Sequence, residues 1–193
     1  SRRERRDDPW LNRANSYAPV YDDAMDTIAA LLDGPRAFGA FLLRSTMDPP
    51  WSVRIEDEAP LTVVAIVRGE ACIAPDSGGP VRLGPGGVAV LTGGDPYTVA
   101  DDPATPPQAV IHPGQRCTTP AGHELVFMRE FGVRTWGNSP TGRTVMLTGT
   151  YALDGEVSGR LLRALPPLVV LGDDALDSPL IPLMAEEIVK DAP

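Results

Sequence analysis

A run of short apolar segments broken by Gly and Pro, Leu61–Asp102, constrains the fold more than any other part of the sequence. Its turns fall at Asp76–Pro80, Gly84–Gly87 and Gly93–Pro96. The apolar stretches between them are too short for helices, and short β-type runs at this spacing indicate a β-sandwich or barrel. Pro and Gly account for 21 and 19 of the 193 residues, which also favours a turn-rich β architecture.

The β pattern continues on both sides of this run. Trp51, Val53 and Ile55 alternate with polar neighbours, as expected for a strand with one exposed face. Further strands are predicted at Ala37–Arg44, Ala109–His112 and Arg143–Leu153, and loops at Pro113–Gly122 and Gly132–Gly142.

Helices are predicted before and after the strands. Asp22–Asp33 carries its apolar residues on one helical face, and so does Glu156–Leu165. Ser178-Pro179 predicts the start of a last helix that continues to Lys190. Residues 1–21 open with four arginines and three acids among eight residues and predict a flexible arm. One domain, 22–193, follows, with a barrel over about 36–153 and helices over about 154–193.

Charge and composition exclude several classes of protein. The net charge of −9 disfavours direct binding of nucleic acid by this chain. No apolar run approaches the ~20 residues that span a bilayer, and the charged N-terminus does not resemble a signal peptide. With only Cys72 and Cys117, we expect a cytoplasmic protein with free thiols and no membrane partner.

Four segments together resemble the N-terminal cupin-type ligand-binding domain of AraC-family transcription regulators. They are GAFLLRS after the first helix; RGE with VRLGPGGVAVLTGGDPYTVADDP; VIHPGQRCTTPAGHEL with GVRTWGNSPTGRTVMLTGTY; and GEVSGRLLRALPPLVVL. The resemblance implies a mainly β fold, a double-stranded β-helix or jelly-roll barrel, with a C-terminal helical dimerisation and linker segment.

The same resemblance implies a sensory module that binds a small-molecule effector and forms a homodimer. In such regulators two helix-turn-helix units follow, and these contact DNA. That DNA-binding domain is absent from this chain, so we expect DNA to be bound only through a missing C-terminal half. The dimer interface implied is the helix Glu156–Leu165, with the apolar residues Val157, Leu161, Leu162 and Leu165.

Metal-dependent cupin enzymes hold a transition metal with histidines and a glutamate inside the barrel. Leu61–Asp102 contains no histidine, and Thr62 and Tyr97 occupy positions where related domains often carry one. We therefore expect no metal site, no cofactor and no catalytic residues. A metal-free barrel can still bind a small molecule, and the residues predicted to line the pocket are Tyr97, Thr62, Arg54, Trp51 and Trp136.

Three alternatives stay open at this point. One is a metal-dependent cupin enzyme, a small isomerase or dioxygenase, and another is an interaction domain with a filled barrel. The third concerns His112, Cys117 and His123, which could form a zinc site or contain a redox-sensitive thiol, or be ordinary loop residues.

Overall fold

The computed structural model describes residues 37–125, 128–153, 162–172 and 179–190. All of them belong to one compact unit, Pro35–Pro193. The predicted arm 1–21, the helix Asp22–Asp33 and most of the helix Glu156–Leu165 lie outside the described residues.

The described part of the chain is mainly β, as predicted. Its strands are β1 (Ala37–Met47), β2 (Ser52–Ile55), β3 (Leu61–Arg68), β4 (Ala71–Pro75), β5 (Val81–Leu83), β6 (Val88–Thr92), β7 (Tyr97–Ala100), β8 (Ala109–His112), β9 (Arg116–Thr118), β10 (Arg129–Glu130), β11 (Thr135–Gly137), β12 (Thr144–Leu153) and β13 (Leu168–Leu171). A 3₁₀ turn spans Pro113–Gln115, and the helix α1 spans Leu180–Glu187.

The strands form two sheets that pack face to face. The first has the order β10-β11-β1-β12-β3-β6-β13, and the second has the order β5-β4-β7-β2-β8-β9. Both sheets are mostly antiparallel, but β11 runs parallel to β1, and β8 runs parallel to β2. The predicted mainly β, two-layer architecture with a C-terminal helix is therefore confirmed.

Strand β3 shows how alternation builds the two sides of the first sheet. Val64 and Ile66 point into the core between the sheets and are at most 1% exposed. Ala65 and Val67, one residue out of phase, point to the opposite face and join a second apolar cluster. Successive side chains of a strand point to opposite faces, so one apolar strand supports both layers.

Helix α1 covers that outer face. Ile181, Ala185 and Ile188 recur at helical spacing and pack in the second cluster, together with Leu147 of β12 and Val88 of β6. The sequence prediction of a helix reaching Lys190 is therefore correct for its core, while its last residues form a turn.

The structure corrects three assignments. Both predicted loops contain a strand: β9 lies within Pro113–Gly122, and β11 lies within Gly132–Gly142. β13 follows the predicted end of the barrel near residue 153, yet it pairs with β6 and extends the first sheet. β11 and β13 are held by partners far along the chain, β1 and β6, whereas β9 pairs with the preceding strand β8. All three strands have only three or four residues, so their own sequences carry little periodic signal.

The parallel contact between β11 and β1 depends on a glycine. Gly137 pairs with Thr46, and a Cβ atom at position 137 would collide with the Thr46 carbonyl oxygen. Its φ of 156° also lies in a region that favours glycine. The close approach fixes the neighbouring Trp136 opposite Ser45.

Candidate functional site

An inner chamber lies between the two sheets. From the first sheet it is lined by alternate residues of β1 and β12, which point inward because strand side chains alternate. From the second sheet it is lined by inward residues of β2, β7 and β8. It holds about 40 Å³, and its lining includes Phe41, Leu43, Ser45, Val53, Ile55, Asp57, Val64, Tyr97, Val99, Ile111, Gln115, Trp136, Met146, Thr148 and Thr150.

A much larger mouth cavity, about 630 Å³, opens from this chamber. Five residues line both spaces: Phe41, Leu43, Ile111, Gln115 and Trp136. The mouth cavity is also bordered by Cys117, Glu124, Leu125, Met128, Glu130, Gly132, Val133, Arg134 and Thr135. Its volume falls in the range of small-molecule sites, and its lining combines apolar side chains with the polar groups of Gln115, Glu124, Glu130 and Arg134.

Two residues at the mouth have unusual backbone conformations. Gln115 has a φ of 62° and Arg134 a φ of 48°, the left-handed region that non-glycine residues seldom adopt. The Arg134 carbonyl accepts a 2.8 Å hydrogen bond from the Arg44 amide. The Gln115 carbonyl accepts one from Cys117 Sγ at 3.5 Å, and burial raises the pKa of that thiol. Backbone strain of this kind often marks binding sites.

The opposite end of the interior is filled. Tyr97 is 4% exposed, Thr62 is 1% exposed, and their hydroxyls share a hydrogen bond. Burial raises the pKa of the Tyr97 phenol above its usual range, and the nearby Asp57 carboxylate raises it further. Beyond Tyr97 lies an end chamber of about 20 Å³, bordered by Asp57, Thr62, Thr92 and Pro167 among others.

The side chains do not fit a bound transition metal. In the described ranges, no group of three or more His, Cys, Asp or Glu residues is placed to hold a metal ion. Thr62 and Tyr97 occupy the two positions where related domains often carry histidine, and their hydroxyls are hydrogen-bonded to each other. A neutral phenol with a raised pKa is a poor ligand for such a metal.

The two facing sheets, the enclosed interior and the C-terminal helix have a counterpart among known families. A family model described as Cupin matches residues 26–193. The chain belongs to the cupin family. No curated protein matches it. The match includes every described residue, so the inner chamber and mouth cavity are parts of the cupin fold itself.

The structure of this cupin separates the five residues predicted to bind ligand. Trp136 lines the mouth cavity and the inner chamber, and Tyr97 lines the inner chamber and the end chamber. Thr62 borders the end chamber only. Trp51 is fully buried in the core, where its side chain serves packing. Trp136 and Tyr97 therefore share the inner chamber, while Thr62 lies beyond Tyr97 at the filled end.

Arg54 lies elsewhere, on the outer face of the second sheet. Val53 and Ile55 point inward, so the side chain between them must point outward. Its guanidinium makes a bidentate ion pair with Asp76, with Nη2 2.6 Å from Oδ2, and Nε lies 3.2 Å from Glu56 Oε1. The hydrogen bonds to Asp76 raise the pKa of Arg54, and they lower that of Asp76. The alternation of apolar and polar residues in this strand already predicts that the Arg54 side chain points outward.

The postulated zinc site is also divided by this sheet. His112 and Arg116 border an outer groove of about 520 Å³, and His112 Nε2 lies 2.9 Å from Thr118 Oγ1. Cys117, next to Arg116 on β9, points to the mouth cavity on the other side. His112 and Cys117 therefore cannot share one metal ion, and the zinc interpretation is wrong.

Sequence reasoning missed the mouth residues Gln115, Glu124, Glu130 and Arg134, because they lie in or beside segments predicted as loops. Of the four predicted dimer residues, Val157 and Leu161 lie outside the described ranges. Leu162 is partly buried and Leu165 is 40% exposed. None of the helices that the structure describes has the length and apolarity to cross a membrane.

Proposed function

We propose that this cupin is the effector-sensing domain of an AraC-type transcription regulator, which binds a small molecule in a metal-free barrel and acts as a homodimer. The observation that carries the proposal is the mouth cavity of about 630 Å³, whose walls continue into the inner chamber. A binding space without a set of metal donors among the described residues suits a sensor better than a metal-dependent enzyme.

The polar groups of the inner chamber favour binding over catalysis. Ser45, Thr148 and Thr150 contribute hydroxyls, Tyr97 a phenol whose pKa is raised by burial, and Asp57 a carboxylate. The hydroxyls orient a ligand through hydrogen bonds, but near neutral pH they are weak acids and weak bases. Among the described residues that line this chamber, Asp57 is the one carboxylate, with no histidine or thiol beside it to form an acid–base pair. We therefore propose that the ligand is bound and released unchanged.

Strand β12 offers a route by which binding could be transmitted. Its inward residues Met146 and Thr148 line the inner chamber, while Leu147 between them packs with Ala185 and Ile188 on the outer face. A ligand that pushes on β12 therefore also acts on the packing of α1. The ligand would shift the equilibrium between two arrangements of the attached DNA-binding units. The size of that shift, as a free energy, would equal the difference between the ligand's binding free energies in the two arrangements.

Support for a dimer comes from the distribution of exposed apolar side chains. Seven large hydrophobic residues are at least 36% exposed among the described residues, and six of them lie between positions 162 and 190: Leu165, Val170, Leu171, Leu180, Leu183 and Met184. Concentrations of exposed apolar residues often mark protein interfaces. Leu165→Glu should shift sedimentation to a monomer, whereas Val133→Glu at the mouth should leave the dimer intact.

Binding in the cavity is tested with a neutral probe, 4-phenylbutan-1-ol, by ligand-observed NMR titration of the full chain. Val133→Trp should block the mouth and abolish binding. Val170→Trp is the matched control, because both valines are 38% exposed and Val170 lies on β13. Equal binding by both variants would place the probe outside the cavity and contradict the proposal.

The regulatory part of the proposal has its own tests. The coding sequence beyond Pro193 should encode two helix-turn-helix units; a different domain there would contradict the AraC assignment. Elemental analysis should find iron, manganese and zinc far below one equivalent per chain. Stoichiometric metal that survives dialysis would instead favour the cupin enzyme.

A further inference from the structure

We infer that the mouth cavity binds an organic cation, a protonated amine or quaternary ammonium group attached to an apolar body. This inference rests on the proposed function, because it names the ligand class of the same cavity. It follows from the charges at the rim, the aromatic rings on the wall and the apolar surface behind them.

The charges at the site are predominantly negative. Glu124, Glu130 and Arg134 line the mouth cavity, and Asp57 lines the inner chamber. Three carboxylates against one guanidinium leave a net charge of −2 around the ligand space. The whole chain carries −9, so the long-range field also favours a cation over an anion.

The mouth carboxylates are available for a ligand. Within the described part of the chain, neither Glu124 nor Glu130 has a side-chain hydrogen bond or ion pair. By contrast, other acidic residues of this sandwich are paired: Asp76 and Glu56 bind Arg54, and Glu70 binds Arg82. A carboxylate at the edge of an apolar cavity without a partner attracts an ammonium group and repels a ligand carboxylate.

The wall of the cavity suits the rest of such a ligand. Trp136 and Phe41 line both the mouth cavity and the inner chamber, and aromatic faces attract cations. Leu43 and Ile111 extend the apolar wall into the inner chamber, which ends at Tyr97. We therefore expect the cationic group near the rim and the apolar body directed toward the inner chamber.

The test compares three probes with one apolar body and different charges: 4-phenylbutylamine, 4-phenylbutan-1-ol and 4-phenylbutanoate. Each is titrated into the full chain at neutral pH and followed by ligand-observed NMR. The amine should bind about tenfold tighter than the alcohol, and the carboxylate more weakly than either, because each partly exposed charge contributes a few-fold. High salt should reduce the preference.

The double variant Glu124→Gln/Glu130→Gln should lose most of the preference for the amine and keep its affinity for the alcohol. Arg134→Gln should strengthen amine binding about threefold, because it removes a like charge. Glu186→Gln, on the exposed side of α1, is the matched control and should change nothing.

Equal affinities for all three probes would overturn the charge inference while leaving the cavity as a binding site. Tighter binding of the carboxylate, lost on Arg134→Gln, would replace the cation with an anion. Failure of all three probes to bind would count against the proposed sensor cavity as well. Each result thus separates the ligand class from the function on which it rests.

Discussion

The two ends of the interior of this cupin differ in how completely side chains fill them. Around Tyr97 and Thr62 the space is filled, with side chains at most 4% exposed and a remaining chamber of about 20 Å³. Around Trp136 it widens to about 630 Å³ and is bordered by charged residues. We therefore expect the first end to contribute mainly to folding stability, and we propose that the second end binds the ligand.

The largest expected effect is the loss of the Tyr97 ring. Tyr97→Ala should lower the free energy of unfolding by about 3–5 kcal/mol, since it removes a buried aromatic side chain and leaves a cavity. Urea denaturation measures the loss. Trp136→Ala is the corresponding change at the mouth and should cost less, because its ring is only partly buried. Equal losses would mean that the two ends do not differ in stability.

Alkaline pH separates the two ends next. The pKa of Tyr97 is higher in the folded chain than in the unfolded chain, so its contribution to stability is complete below the unfolded pKa near 10 and declines above it. Stability should therefore fall by up to about 1.4 kcal/mol per pH unit above pH ~10. Burial also raises the thiol pKa values of Cys72 and Cys117, so their ionisation changes stability in the same direction as that of Tyr97.

The Tyr97→Phe variant isolates the tyrosine from the two thiols. Measured between pH 9 and 11, its free energy of unfolding should decline less steeply than that of the wild type. Parallel pH profiles for the two proteins would show that the phenol ionises as easily in the folded chain as in the unfolded one.

A smaller change tests the hydrogen bond at the closed end. Thr62→Val keeps the volume but removes the partner of the Tyr97 hydroxyl, and it should cost about 1–2 kcal/mol by thermal or urea unfolding. Thr62→Ser retains a hydroxyl and should lose less of the hydrogen-bond energy. Neither variant should alter the affinity for 4-phenylbutan-1-ol; a clear change would extend the binding site to this end.

The smallest effect is expected for Arg54, outside both ends. Arg54→Gln removes the ion pairs with Asp76 and Glu56, whose side chains are 56% and 42% exposed. The change in unfolding free energy should stay below about 1 kcal/mol and shrink in high salt. Probe affinity should be unchanged, because Arg54 faces away from the interior. A loss of affinity would reopen its predicted role as a ligand residue.

Local patterns predicted most of the strands well. The local sequence shows both the alternation around Val53 and the turns Gly84–Gly87 and Gly93–Pro96. The strands β2, β6 and β7 were therefore assigned correctly. β11 and β13 were not, because they are strands only by virtue of partners far along the chain, β1 and β6. Pairing over such distances leaves little trace in a few consecutive residues.

The site was predicted only in part, because some of its residues are positioned by contacts with distant parts of the chain. Tyr97 was identified from its position in the motif, where related domains often carry a histidine, and Trp136 was predicted as a lining residue. The structure places both around the inner chamber. Arg54 was predicted to line the pocket, although its apolar neighbours indicate the outer side, where it binds Asp76. The mouth residues Glu124 and Glu130 lie in an isolated β-bridge with Thr118 and in the two-residue strand β10. Both pairings depend on neighbouring strands and leave no pattern in so few residues.

Gly137 has a further consequence, for how such a chain can diverge. Any side chain there would meet the Thr46 backbone and displace the strand that carries Trp136. At the rim positions 115, 124, 130 and 134, by contrast, the residues border the open space of the mouth cavity. Among descendants of this sequence, position 137 should stay glycine while the rim residues vary. Ligand preference can then change in evolution while the strand that carries Trp136 keeps its position.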